Sequence, residues 1–320
     1  MRRTYHLCWS SHREVIYRNE ADLIMGFNCL ALAVLETESR LLAEGFIPTH
    51  THKLVQTDDY KELMRRERYS YSRYFNAKYS RKGRIGEKEY FRLETEGLFH
   101  TQTALSYVIR QGLHHGLANT PFAYDHCSAN AFFRKDLGKA FLPDLCDKGQ
   151  RYKYLPHGKR LPESFRMAKN GLILREQVLD TAYVEEIYIT PRNYLYQMNR
   201  ITDERIVKDQ KEENNLPPVT LDIIEQGVPD FDVRAALISE QGRVNKSVLT
   251  DLELCYIIDS ELIPQYLRAP KDCSIYHLSE SKRQEIANLL FREAQNSYNK
   301  KNLLSGRTTD AKQIRRCLAL

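Results

Sequence analysis

The first 142 residues predict an α+β sandwich, an antiparallel sheet with helices laid on one face, and three observations predict it. Segments follow one another as strand, helix, strand, strand, helix, a further element and helix. Prolines, glycines and short polar clusters punctuate them where turns are required. The stretch Glu20–Glu36 is dense in Leu, Ile, Ala and Met, the composition of a buried helix.

Residues 5–9 read as the first strand. The buried helix over 20–36 follows. Residues 40–47 and 50–56 read as two strands meeting at Pro48 and Thr49. Thr57, Asp58 and Asp59 then supply a helix start, with acids in the first turn to suit the helix dipole. That helix is expected to run to about residue 79, with Tyr60, Met64, Tyr71, Tyr74 and Phe75 near helical spacing. Residues 81–86 form a basic, glycine-containing loop, and a last helix over 101–115 is closed by Gly116.

Beyond this unit, residues 151–167 are basic and marked by prolines, as in a linker or wrapping segment. Residues 170–275 mix short helical and strand patterns, broken by the polar run 208–218. Helices over 279–294 and 309–318 close the chain. The expected division is 1–142, then an extension over 143–275, then a basic helical tail over 276–320.

Charge and cysteine usage narrow the function classes. Of the 320 residues 42% are hydrophobic and 28% charged, ordinary for a soluble globular protein, and no apolar run is long enough for a membrane span. Seven scattered cysteines without a CxxC pair argue against a disulfide framework or cysteine zinc site, and for a reducing cytoplasm. The net charge of +6 resides entirely in residues 281–320, since residues 1–280 balance to zero. Within that neutral part, residues 61–92 carry +7. Two basic segments on a neutral body point to a polyanion partner, although two solvated helix faces would look the same.

Three constellations carry chemistry. His50 and His52 stand two apart on a strand, so both imidazoles face one side, as two metal ligands would. Two surface histidines near a turn would show the same spacing. Tyr107 and Gln111 stand four apart on a helix and share a face. A phenol, with a pKa of about 10, needs a metal or base beside it to attack phosphorus at neutral pH. Gln111 offers a carbonyl oxygen as a third ligand, whereas the bland reading of Tyr107 is a packing tyrosine. Finally, residues 60–92 interleave tyrosines with arginines and lysines, suited to unpaired bases and phosphates, about half of those rings being needed for the core.

These motifs resemble a known family. Residues 49–55, containing His50 and His52, resemble the histidine-hydrophobic-histidine strand of the REP-associated tyrosine transposases, HUH-type single-tyrosine enzymes related to insertion-sequence-200-like transposases. Thr49 stands where the family has Asn, and Thr51 where it usually has an apolar residue. Residues 71–76 with Gly83 and Arg84 resemble the family's tyrosine- and arginine-rich helix and glycine loop. Residues 107–117 are similar to the family stretch Tyr-Ile-x-x-Asn-Pro-Val-x-His-Gly, with Tyr107 at the nucleophile, Gln111 at the ligand and Gly112 at the proline position. Residues 121–130 resemble its Pro-x-x-Tyr-x-x-Ser-Ser segment.

The resemblance covers about residues 3–142. It implies a ferredoxin-like (RRM-like) antiparallel sheet with helices on one face, carrying a mainly helical C-terminal extension. It also implies cleavage and rejoining of single-stranded or hairpin DNA: His50, His52 and Gln111 hold Mg²⁺ or Mn²⁺, and Tyr107 forms a 5′-phosphotyrosine link. Ligand chemistry alone would not have chosen Mg²⁺, because imidazoles suit softer metals. His114 and His115 are weaker ligand candidates, each readable as a helix-end histidine. The expected DNA contacts are Arg65, Arg66, Arg73, Tyr74, Lys78, Arg81, Lys82 and Arg84. In the tail, Lys312, Gln313, Arg315 and Arg316 would be presented outward by a helix-turn-helix-like reader, or else the tail helix docks on the body. The chain is expected in the cytoplasm, associated with the nucleoid, as monomer or homodimer. A domesticated, non-cleaving nucleic-acid-binding protein is the alternative, and a replication initiator or relaxase a third reading.

Overall fold

A computed structural model describes residues 2–139, 143–229, 243–268, 273–296 and 303–320. The expected boundary at 142, and Lys300 and Lys301 of the basic tail, lie outside the described residues.

Four strands, β1 (Arg3–Ser10), β2 (Arg40–Ile47), β3 (His50–Thr57) and β4 (Phe91–Thr95), form one antiparallel sheet in the order β2-β3-β1-β4. Helix α1 (Glu20–Glu36) joins β1 to β2, and α2 (Tyr60–Lys78) joins β3 to β4. The local chemistry is that of standard capping: Asn19 accepts from the Asp22 backbone N–H and Asp59 from that of Glu62. The further element between the glycine loop and the last helix is thus the edge strand β4.

Register decides which residue sees which layer. Along β3, His50, His52 and Leu54 face one side, paired with Ser10, Cys8 and His6 of β1. Lys53 faces the other side, where its ammonium donates to both carboxylate oxygens of Glu67 on α2, at 2.6 Å each. Neither partner is appreciably exposed. Helices α1 and α2 therefore cover the Lys53 face. The histidine face is covered by α3 (Gly97–Ile109) and the single turn α4 (Gln111–His114). Helices on one face only, as expected from the sequence, are thus corrected to helices on both.

The helix expected over 101–115 starts earlier and breaks at Arg110. Its early start has a remote cause. The Glu213 carboxylate, from a helix much later in the chain, accepts from the Leu98 and Phe99 N–H groups at 2.7 and 2.9 Å, stabilising the positive end of the helix.

Residues 143–228 do not behave as a linker. Their helices α5 (Thr181–Tyr188), α6 (Pro191–Met198) and α8 (Leu221–Ile224) contribute Val184, Tyr188, Tyr194, Met198 and Ile224 to the same apolar core as the sheet, and α7 (Glu204–Glu213) is tied to α3 by its buried Gln210, which donates to Thr103 Oγ1. The buried Asn28 of α1 stitches the preceding segment down, donating to the carbonyls of Tyr154 and Gly171 and accepting from Ile173 N–H. A second core gathers Val15 with residues from Leu249 to Leu318. It is built on α9 (Asp251–Tyr256), α10 (Ile263–Tyr266), α11 (Glu280–Gln295) and α12 (Ala311–Cys317). Arg18, fully buried, joins the two cores through a bidentate bond to Asp259 and a bond to the Cys317 carbonyl.

In the tail, Gln313 and Arg316 are buried, not outward as expected. Positions 313, 316 and 317 share one helix face, and Arg316 pairs with Asp251 at 2.7 Å across that face. Lys312 and Arg315 stay exposed.

Glu67→Ala leaves the Lys53 ammonium buried without its counter-charge, and is expected to cost about 3–5 kcal/mol of stability. The double replacement Lys53→Met with Glu67→Leu should recover most of that loss. Urea unfolding of the three proteins measures both.

Candidate active site and metal centre

Half of the chain's ten histidines gather on the covered face of the sheet with Tyr107. β3 supplies His50 and His52, whose ring centroids are 5.0 Å apart. The turn after α4 supplies His115, with Nε2 3.1 Å from Nε2 of His50. One ring nitrogen from each of His50, His52 and His115 lies within 4.8 Å of the others.

Three features fit this cluster to a metal ion. A metal holds imidazole nitrogens at about 2.0–2.1 Å, which puts neighbouring ligand nitrogens roughly 3 Å apart, the His50–His115 separation. Both strand histidines are held from behind: Thr49 Oγ1 lies 3.0 Å from Nδ1 of His50, and Nε2 of His6 lies 3.0 Å from Nδ1 of His52. Such outer hydrogen bonds orient a ligand ring and fix its tautomer. In addition, Nε2 of His52 is buried with no hydrogen-bond partner among the described residues, a costly state that an ion would relieve.

Burial keeps His52 and His6 neutral. Burial, and then the neighbouring histidines, hold His52 well below the usual imidazole range. Burial and then the Lys53 ammonium lower His6 to about 3. Behind them, burial raises the Cys8 thiol to about 12, so it stays protonated.

Tyr107 comes from α3, its ring edge-on to His52 at 5.2 Å between centroids and 6.0 Å from His6. Gln111 donates from Nε2 to the Tyr107 carbonyl at 2.8 Å, while its buried Oε1 has no partner among the described residues. Its close approach to the sheet is eased by a glycine opposite His52: a Cβ on Gly45 would lie 3.1 Å from the Gln111 Cβ. His114 packs on Tyr107 at 5.6 Å and bonds Glu225 at 2.8 Å.

The site is roofed. Tyr107, His52 and Gln111 have no exposed surface. The α8 turn and the residues after it lie across the sheet, and Cys8 Sγ donates to the Gly227 carbonyl at 3.2 Å. A side chain at Gly227 would put its Cβ 2.5 Å from the Phe91 Cβ, so only glycine allows this closeness.

Of the residues expected from the sequence, His50, His52, Tyr107 and Gln111 all lie on this one side of the sheet. His115 joins the histidine cluster, while His6, Cys8 and Glu225 were not anticipated. The expected DNA contacts lie elsewhere. Arg65, Arg66, Arg73, Tyr74 and Lys78 are on α2, behind the opposite face. Arg81 is committed to Glu14 and to the loop carbonyls of Gly83 and Arg84, while Lys82 and Arg84 are exposed. No helix among the described residues is long and apolar enough to cross a membrane.

A solved structure of a REP-associated tyrosine transposase bound to a REP hairpin is similar at TM-score 0.36 and 12% identity, covering 44% of this chain and 82% of that one. A likeness that slight carries no argument for the chemistry. No protein-family model matches the sequence, and no curated protein does.

Thr49→Val removes the bond behind His50 and should weaken Mn²⁺ or Zn²⁺ binding by about 10- to 100-fold in calorimetric titration. A second expectation concerns acid. The unfolded chain protonates His6 near 6.5, while the folded protein resists until about 3. Extra protons therefore bind the unfolded state in that window. Stability is full above about pH 6.5 and falls as pH drops towards 3, by at most about 1.4 kcal/mol per unit for each such group. Urea titrations of metal-free protein at pH 7 and 5 should show a smaller loss for His6→Gln than for the native chain.

Proposed function

We propose that this protein cuts and rejoins single-stranded DNA by transesterification, with Tyr107 as nucleophile beside a metal site made by His50, His52 and His115. The observation that carries the reading is the placing of a buried phenol against His52, one member of a three-imidazole cluster. Isolated tyrosines are poor nucleophiles at neutral pH, and a neighbouring ion is one way to activate them. A divalent ion bound there would act as Lewis acid on the scissile phosphate and favour the phenolate.

The protein's own groups do the rest. The Tyr107 oxygen forms a bond to phosphorus as the bond from phosphorus to the 3′ oxygen breaks. The phenolic proton leaves with a base, and the departing oxygen takes one up as a 3′-hydroxyl. His114, oriented by Glu225 and packed on the Tyr107 ring, is the imidazole best arranged to carry that proton. Attack by a second 3′-hydroxyl reverses the step and reseals DNA without ATP. Gln111, its Oε1 lacking a partner among the described residues, stands in reserve as a further oxygen ligand.

Three neutral imidazoles favour Mn²⁺ or a softer ion over Mg²⁺. The βαββαβ order with strand sequence β2-β3-β1-β4 supports a ferredoxin-like reading of the first unit. Complete burial of Tyr107 favours one rival, a nucleic-acid-binding protein that no longer cleaves.

Incubation with labelled hairpin-bearing single-stranded DNA and Mn²⁺ tests the proposal. The native protein is expected to form a denaturation-resistant adduct and Tyr107→Phe none. Binding without an adduct in either protein selects the non-cleaving rival. Because the site is roofed, amide exchange over residues 221–228 should speed up when the DNA binds, as the cover lifts.

A further inference from the structure

On the far side of the sheet from Tyr107, a groove of about 870 Å³ runs between α2 and the segment around residues 153–159. Its walls hold six cations, Arg65, Arg66, Arg73, Lys78, Lys153 and Lys159, and no carboxylate. The acids that balance them sit outside the lining. Glu36 binds both Arg66 and Lys159, and so draws the two walls together. Glu62 holds Arg65 and Arg66 from one end, and Asp22 holds Lys78. Arg73 and Lys153 are exposed.

Aromatic faces stand among these charges. Tyr69 is 58% exposed, with the Arg73 guanidinium 5.7 Å from its ring centroid. Tyr74 lines the groove beside Lys78. Cations interleaved with the open Tyr69 ring, their paired acids lying outside the lining, match a backbone of phosphates carrying unstacked bases. A duplex would offer the phosphates but keep its base faces covered.

We infer that this groove is a second binding site for single-stranded nucleic acid, remote from Tyr107 and formed jointly by α2 and residues 153–159. Helix α2 lies between the groove and the sheet, so helix and sheet together separate it from the histidines by roughly 20 Å. It would hold a part of the strand other than the one being cut. The inference stands on the groove alone and does not require that Tyr107 cleave.

The test is fluorescence anisotropy with labelled oligothymidylate in EDTA, using the full chain. Arg73→Ala with Lys153→Ala, both at exposed positions, should lower the slope of log affinity against log salt by about 1.4, from two phosphate contacts at ~0.7 each. Tyr69→Ala should weaken binding roughly 5- to 100-fold through the loss of one stacked base. An unchanged salt slope in the double variant overturns the inference, as does a duplex bound as tightly as the single strand. Loss of binding in these variants, together with no adduct from the native protein, would keep the groove and remove the cleavage reading.

Discussion

The buried ion pair between Lys53 and Glu67 determines which way β3 faces, and the site follows from that choice. Side chains on a strand alternate, so a slip of one residue would send His50 and His52 into the layer of α1 and α2 and bring Lys53 among the histidines. A lysine ammonium there would disfavour any cation. The pairing with Glu67 makes such a slip costly, because it would strand two charges in an apolar layer. Lys53 is therefore a register device for its histidine neighbours, and its charge also helps hold His6 neutral from across the sheet.

The roof over Tyr107 brings residues 221–228 to the candidate site. Cys8 and Phe91 accept the backbone at Gly227 so closely that no side chain fits. The contact of His114 with Glu225 ties the same segment to the helix side of the site. A dry, enclosed site strengthens every electrostatic interaction within it. Enclosure also excludes a polymer, so a strand can reach the phenol only while this segment is displaced. Its short turns and few bonds to the sheet are the properties of an element that opens locally, at a fraction of the cost of global unfolding.

Much of the frame was legible in the sequence, because its signals are local. The apolar density of α1, the turn at Pro48 and the acids before α2 mark element ends within a few residues, and the structure has α1 and β2 at the expected bounds. His50 and His52 were legible through strand alternation. His6 was not, since its approach to His52 depends on the pairing of β1 with β3 across 46 positions. His115 lies next to the expected motif, but which of two adjacent imidazoles turns inward depends on the helix break at Arg110. The start of α3 depends on a carboxylate more than a hundred residues away. Basic composition alone could not tell which side of the sheet the α2 cations serve; Arg65, Arg66, Arg73 and Lys78 line a groove on the side away from Tyr107.

The charge balance of the histidine cluster bears on what it binds. His50, His52 and His115 bring no negative charge, and burial disfavours protonation of His52. A divalent cation placed among them is a buried charge without a counter-ion, which is expensive in a medium of low dielectric constant. An anion entering beside it removes much of that cost. Metal affinity and phosphate affinity are therefore linked by reciprocity: each ligand strengthens the other by the same factor. A carboxylate in the cluster would hold the ion more firmly but weaken its pull on a phosphate oxygen. Three imidazoles would leave that pull nearly intact, at the expense of weak occupancy unless an anion is bound beside the ion.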